Sequence, residues 1–308
     1  MDRDADGVLD DGEVLSTQYV CETRELVRVD AGLAGSNCPG DGAAVRSGPD
    51  TNGDGILQDS EVTRTEYVCD QVIIGDVEIN SQLELLALED VAVITGSLVI
   101  SYTNSVVNVD LPALRYLGGS LTLDYLRELR NVSLPALERA GGSIEISSSP
   151  KLDRVDLGGL RDVRGDLRVS RNSELVVMEF ASLENVSGDI WVNENPKLLV
   201  FGLPRLRQAD DIVLWNVASS LIELPWLGRV RSFSIADSAA TEVHLPALSY
   251  AWENLVIARM PRLQQLDLPV LYHVGEKFIV RDTEALVSFR CPTSRSSRAS
   301  STSGTTRG

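Results

Sequence analysis

The sequence predicts a mainly β protein: a parallel β-solenoid of short repeats, with small acidic loop modules before it. Three observations carry this. A 21–23-residue repeat fills the chain from residue 95, apolar residues alternate with period two inside each repeat, and an acidic phrase near the N-terminus occurs twice. Period-two alternation over four or five residues reads as a half-buried strand.

Five 23-residue units run 95–117, 118–140, 141–163, 164–186 and 187–209; two 21-residue units follow at 210–230 and 231–251. A further 23-residue unit occupies 252–274, and a partial one runs from Gly275 to about Pro292. The first unit, "TGSLVISYTNSVVNVDLPALRYL", sets the pattern. "SLVIS" puts Leu98 and Ile100 on one face, a short strand "VDL" follows, then "PAL" and a closing apolar residue. A unit this short cannot bury its apolar face alone, so copies must stack around one continuous core, with equivalent strands aligned in parallel sheets.

The recurring pattern G-x-L-x-I … L-x-x-(V/L)-x-L-P-x-L resembles the receptor L-domain. This is the leucine-rich β-solenoid of insulin-type and epidermal-growth-factor-type receptors and of fungal wall proteins. The resemblance covers about residues 75–292, and "GDVEINSQLELLALEDVAVITGSLVI" (75–100) is similar to that family's N-terminal capping unit. It implies an extracellular binding or structural domain without catalytic chemistry. The receptor versions carry disulfides at the solenoid ends, where this chain has Cys291 alone.

The acidic phrases are "DRDADGVLDDGEVLSTQYVC" (2–21) and "DTNGDGILQDSEVTRTEYVC" (50–69). A calcium loop of the EF-hand kind places oxygen ligands at positions 1, 3, 5, 7 and 12 and Gly at position 6. The first copy supplies Asp2, Asp4, Asp6, the Val8 carbonyl and Glu13; the second supplies Asp50, Asn52, Asp54, the Ile56 carbonyl and Glu61. Structural Ca²⁺ is therefore the expected cofactor. "GAAVRSGP" before Asp50 excludes an entering helix, while "SEVTRTEYVC" is expected to form a short helix. Such a loop–helix half-site resembles the calcium repeats of dockerins.

Residues 24–70 also resemble a short cysteine-containing module repeated on bacterial surface proteins, through "AGSNC" (34–38), "SGPDTNGDGILQDSEV" (47–62) and "TEYVC" (65–69). Cys38 and Cys69 flank the second phrase and are expected to pair. The partner of Cys21 would lie before residue 1, so the chain is expected to begin inside a tandem array. The domain reading is a partial loop module at 1–23, a complete one at 24–72, the solenoid at 73–292 and a disordered Ser/Thr/Arg tail at 293–308.

Charge narrows the partners. The net charge is −17, and residues 1–73 hold sixteen acidic residues against five arginines, a balance of −11. Nucleic acid is an unsuitable partner for such a chain. No apolar run is long enough for a transmembrane helix, and the acidic opening residues are not expected to act as a signal peptide. The disulfide and the resemblances place the protein outside the cell or on its surface.

If Leu98 and Ile100 point inward, Val99 and Ser101 head two outward columns. These become apolar around Trp191, Val213 and Trp215, beside Arg168 and Asn193. Such a patch is expected to take a protein or carbohydrate ligand. A third column, Ser97, Ser120, Ser143, Asp166, Asp189, Asp211, Ser232 and Asn254, is expected to bond turn backbone. Its alternative is a polysaccharide lyase or hydrolase site on Asp166, Asp189 and Asp211, a reading weakened by the lack of an aligned Lys/Arg cluster. A purely structural envelope protein fits the same sequence.

Overall fold

The structure is a computed structural model that describes residues 25–31, 42–69 and 72–292. The chain separates into two compact units, and the solenoid lies in the larger one. Near the N-terminus, strands β1 (Glu25–Ala31), β2 (Gly42–Pro49) and β3 (Arg64–Cys69) form a small antiparallel sheet in that order. The acidic loop joins β2 to β3 through a one-turn 3₁₀ helix, Asp59–Glu61.

This corrects the expected loop–helix half-site, because "RTEYVC" is strand. Thr65, Tyr67 and Val68 are β-branched or aromatic, types that suit a pleated, half-buried surface better than a helix. Leu57, the eighth residue of the loop, is buried. Gly48 is required where β2 passes the loop's end, since a Cβ there would overlap the Glu61 carbonyl.

The rest of the chain is a parallel β-solenoid of about ten turns with three faces. One long face is an unbroken sheet of ten strands, from Val77–Ile79 to Lys277–Arg281. A second face consists of five strands (Asn108–Asp110 to Val200–Gly202) and then four (Leu221–Glu223 to Ser288–Arg290). The third face splits likewise into six and three strands. Both breaks fall where the 21-residue units begin. Single parallel bridges through Gln208 carry the third face across the gap.

Stacking follows the repeat register. Leu98 pairs with Leu121, and Leu121 with Ile144, so the inward columns form one core cluster from Ile79 to Val274. Leu-Pro-x-Leu makes the turn into the third face. Leu137 N–H donates to the Leu134 carbonyl at 3.2 Å, and the same i to i+3 bond recurs at Leu114, Leu206 and Leu248. Proline at the second position has the backbone angle this turn needs.

A second corner recurs once per turn at the end of each long-face strand. Among the described residues, nine non-glycine ones, including Tyr102, Tyr125, Ser148, Arg171 and Asp237, have φ between 50° and 56°. Left-handed backbone costs an L-residue about 1 kcal/mol. Here it is offset by ladder bonds that continue through the corner, such as Tyr102 N–H to the Asp124 carbonyl at 3.0 Å. Just beyond it lies a buried amide ladder. Asn172 Oδ1 accepts from Ser149 N–H at 3.0 Å, and Asn195 Oδ1 from Asn172 N–H at 3.1 Å. Their Nδ2 groups donate to the carbonyls of Ile146 and Val169.

The N-terminal end of the core is closed locally. In the first turn a short helix, Gln82–Leu86, stands in chain order where later turns place a second-face strand, and it buries Leu85. Gln82 Oε1 accepts from Val107 N–H (2.9 Å) and Asn108 N–H (3.2 Å), and Gln82 Nε2 donates to the Asn108 carbonyl (3.0 Å). A side-chain amide thus takes the place of a neighbouring strand for the sheet edge.

Candidate functional site

The long face brings the expected outward columns into register. Arg168 pairs with Trp191 and Trp191 with Val213, while Asn193 pairs with Trp215 and Trp215 with Ala236. Strand pleating turns these side chains away from the core, because residues two apart share a face. Trp191 and Trp215 are each 39% exposed, enough surface for a ligand on one side of each ring. Val213 extends the apolar strip, which resumes beyond Ser234 at Val256 and Ile279, all half-buried.

Trp215 is fixed in place: its Nε1–H donates to Asp237 Oδ2 at 2.7 Å, and Arg259 pairs with the same carboxylate. Arg259, with help from the indole N–H, holds the Asp237 carboxyl below its ordinary value. A ring locked by a charge-assisted bond loses less freedom on binding a ligand. Arg168 turns to Asp166 Oδ2 at 2.7 Å, and Asn193 stays half-buried.

The polar column before the long-face strands is a ladder. From Ser97 to Asp189 each side chain accepts the backbone N–H of its successor one turn on: Ser97 from Ser120 (3.1 Å), Ser143 from Asp166 (3.0 Å), Asp166 from Asp189 (2.9 Å) and Asp189 from Asp211 (3.1 Å). The expected absence of basic neighbours is corrected. Arg231 Nε donates to Asp211 Oδ1 at 2.8 Å and its Nη2 to Asp189 Oδ1 at 3.0 Å, while Arg168 holds Asp166. All three carboxylates are therefore engaged in backbone bonds or ion pairs.

In the acidic loop, Gly53 and Gly55 take φ of 76° and 78°. Asp50 Oδ1 and Oδ2 accept from the N–H groups of Gly53 and Gly55, Asn52 Oδ1 from Asp54 N–H, and Asp54 Oδ1 from Ile56 N–H. Glu61 reaches back across the loop. Its Oε1 accepts from Thr51 N–H (2.8 Å) and Thr51 Oγ1 (2.7 Å), and its Oε2 from Gln58 N–H (3.1 Å). The Thr51 hydroxyl and the Gln58 amide hold the Glu61 carboxyl below its usual range. Arg28 anchors the loop's far side through the Leu57 carbonyl (2.7 Å) and Asp59.

The oxygen chemistry suits a hard cation, but the carboxylates do not converge. Among the described residues no three His, Cys, Asp or Glu side chains are grouped to hold a metal. Asp2, Asp4, Asp6, Val8, Glu13, Cys21 and Cys38 lie outside the described residues, as does the Cys69 side chain. Cys291 is a free, half-buried thiol whose pKa burial raises.

Sequence reasoning missed an aromatic group on the third face. The Tyr250 ring lies 4.4 Å from Trp252 and 4.5 Å from His273 between centroids. Trp226 stands nearby in the chain with Arg207 over its ring, at 5.8 Å. The repeat register would have placed Tyr250 beside His273. Trp252 opens the unit 252–274, just after the closing Ala251 of the unit before, where no alternation marks it as outward.

Residues 25–69 match a family described as Domain of unknown function (DUF7151). No curated protein and no solved structure matches the chain.

Proposed function

We propose that this is a non-catalytic extracellular or cell-surface binding and scaffold protein whose solenoid is L-domain-like and presents its long face to a protein or carbohydrate ligand. One observation carries the reading. On an unbroken ten-strand sheet, the exposed columns change from polar to apolar at Trp191 and Trp215, and Asp237 pins the second indole. An exposed aromatic strip on a rigid sheet favours ligand contact with little ordering cost. The same rings suit stacking on sugars or packing against a protein anchor.

Intrinsic fluorescence during titration with a panel of neutral oligosaccharides tests the carbohydrate arm. A ligand that shifts the emission of the parent, and is lost in Trp191→Ala and Trp215→Ala, supports the reading. Binding that survives both substitutions overturns it.

In the N-terminal modules, Asp50, Asn52, Asp54, the Ile56 carbonyl and Glu61 would hold structural calcium, and a Cys38–Cys69 disulfide would close the same module. The bound ion would neutralise an acidic loop and tie its two ends together. Two features support this: the left-handed glycines, and the successive side-chain-to-backbone turns that already curl the loop. Glu61 would have to exchange its Thr51 and Gln58 bonds for the ion, and Asp54 its contact with the Gln58 amide. Calorimetric titration of calcium into chelator-treated protein tests it. Uptake lost in Glu61→Gln is the expected result, and no uptake at millimolar calcium removes the clamp.

A further inference from the structure

A notch interrupts the corner between the long and second faces. The left-handed column there reads Tyr102, Tyr125, Ser148, Arg171, Glu194, one residue per turn. In one turn its side chains shrink to Ser148 and Pro150, while the preceding turn presents Tyr125 and Arg127 and the following turn presents Arg171. The missing bulk leaves a cavity of about 580 Å³, with the Glu128–Lys151 pair on its rim. Its walls are two turns apart, about 10 Å at the usual spacing of parallel strands.

The notch is basic in a chain of net charge −17: three cations line it against one carboxylate. That carboxylate is already engaged, since Lys151 Nζ donates to both oxygens of Glu128 at 2.8 and 2.7 Å. Arg171 gives its Nε to Glu194 at 3.3 Å and stays 62% exposed. Arg127 is exposed and has no ion-pair partner among the described residues. One wall is aromatic: Tyr125 stacks on Tyr102 with centroids 5.0 Å apart and planes within 11°.

We propose that this notch binds an acidic saccharide, a uronate pyranose lying against Tyr125 with its carboxylate between Arg127 and Arg171. The ring's C–H face suits the rigid tyrosine pair, and a planar guanidinium recognises a carboxylate through two parallel bonds. The width accommodates one sugar ring together with its contacts on both sides. A small inorganic anion would use the arginines and leave the aromatic wall unused. The site is separate from the Trp191–Trp215 strip and does not depend on it.

The test is calorimetric titration of the whole chain with trigalacturonate, a neutral trisaccharide and inorganic sulfate. Trigalacturonate should bind, and the neutral sugar and sulfate should each bind weaker by at least about tenfold, 1.4 kcal/mol. Ser148→Tyr should abolish binding by filling the notch. Its folding is protected, because tyrosine already occupies the same left-handed backbone at Tyr102 and Tyr125, and an unchanged melting temperature checks this. Tyr125→Ala should weaken binding by a similar factor. Failure of trigalacturonate to bind overturns the proposal. So does binding that survives Ser148→Tyr, or sulfate binding as tightly as the sugar.

Discussion

The two halves of the solenoid build the same fold with different corner devices. Up to about residue 195, glycines occupy the corner before each long-face strand. A Cβ at Gly119, Gly142, Gly165 or Gly188 would come within 2.1–2.4 Å of the ladder side chain one turn back. The ladder bonds are correspondingly short, 2.9–3.1 Å from Ser97 through Asp189. Beyond residue 209 the same corner carries Asp210, Arg231 and Glu253, and the ladder loosens: Asn254 N–H reaches Ser232 Oγ at 3.4 Å. Arg231 now takes the Asp211 carboxylate. Close stacking thus depends on glycine where side-chain oxygens cap the turns, and gives way to ion pairs where charged residues replace it. The looser half also bears Trp215, Trp226 and Trp252, and the breaks in the second and third faces fall where it begins.

The sharpest way to break this contrast is Gly142→Val set against Glu253→Val. The first drives a side chain into the Ser120 backbone and hydroxyl and should cost about 3 kcal/mol, the upper end for an overpacked site. The second, at the equivalent corner, should change stability by less than about 1 kcal/mol. Equilibrium urea unfolding of both variants measures the difference.

Next in size is Asn172→Leu, which leaves the buried Ser149 N–H without its acceptor. About 2 kcal/mol is expected for the stranded donor. Ser238→Ala, at the corresponding corner of the second half, removes a 3.3 Å bond from Val217 N–H and should cost less. A smaller loss for Asn172→Leu than for Ser238→Ala would reverse the assignment of rigidity to the first half.

The smallest expected effect is electrostatic. Asp237 has its carboxyl pKa held below the ordinary 3.8 by Arg259 and the Trp215 indole. The stabilisation this contributes is fully present above that pH and is lost as pH falls through the lowered value. Trp215 emission should shift in that acid window, and Asp237→Asn should move or remove the transition. At the corresponding corner in the first half Tyr102 stacks on Tyr125, and their emission should show no such transition.

Much of this was legible residue by residue. Leu98, Ile100 and their equivalents were readable as core because strand alternation admits one inward set. The same rule placed Trp191 and Trp215 outward. Other features were not legible. Asn172 and Asn195 carry no mark of burial in the sequence, yet both are fully buried, since their partners lie one turn away. Arg231 pairs with Asp189 across 42 positions, a distance no local pattern reports. The strand at Arg64–Cys69 replaced the expected helix because its β-branched and aromatic residues pair with β2, a partner the segment alone does not reveal.

By itself, the sequence determined the repeat length, the inward columns and the Leu-Pro-x-Leu turns, because each depends on chemistry within one unit and on the need to bury its apolar face. The tertiary structure decided which polar side chains serve the backbone and which face outward. It also decided where the sheets break and where a turn of small residues opens the notch beside Tyr125. Those outcomes depend on what lies one turn above or below, and stacking alone brings such residues together.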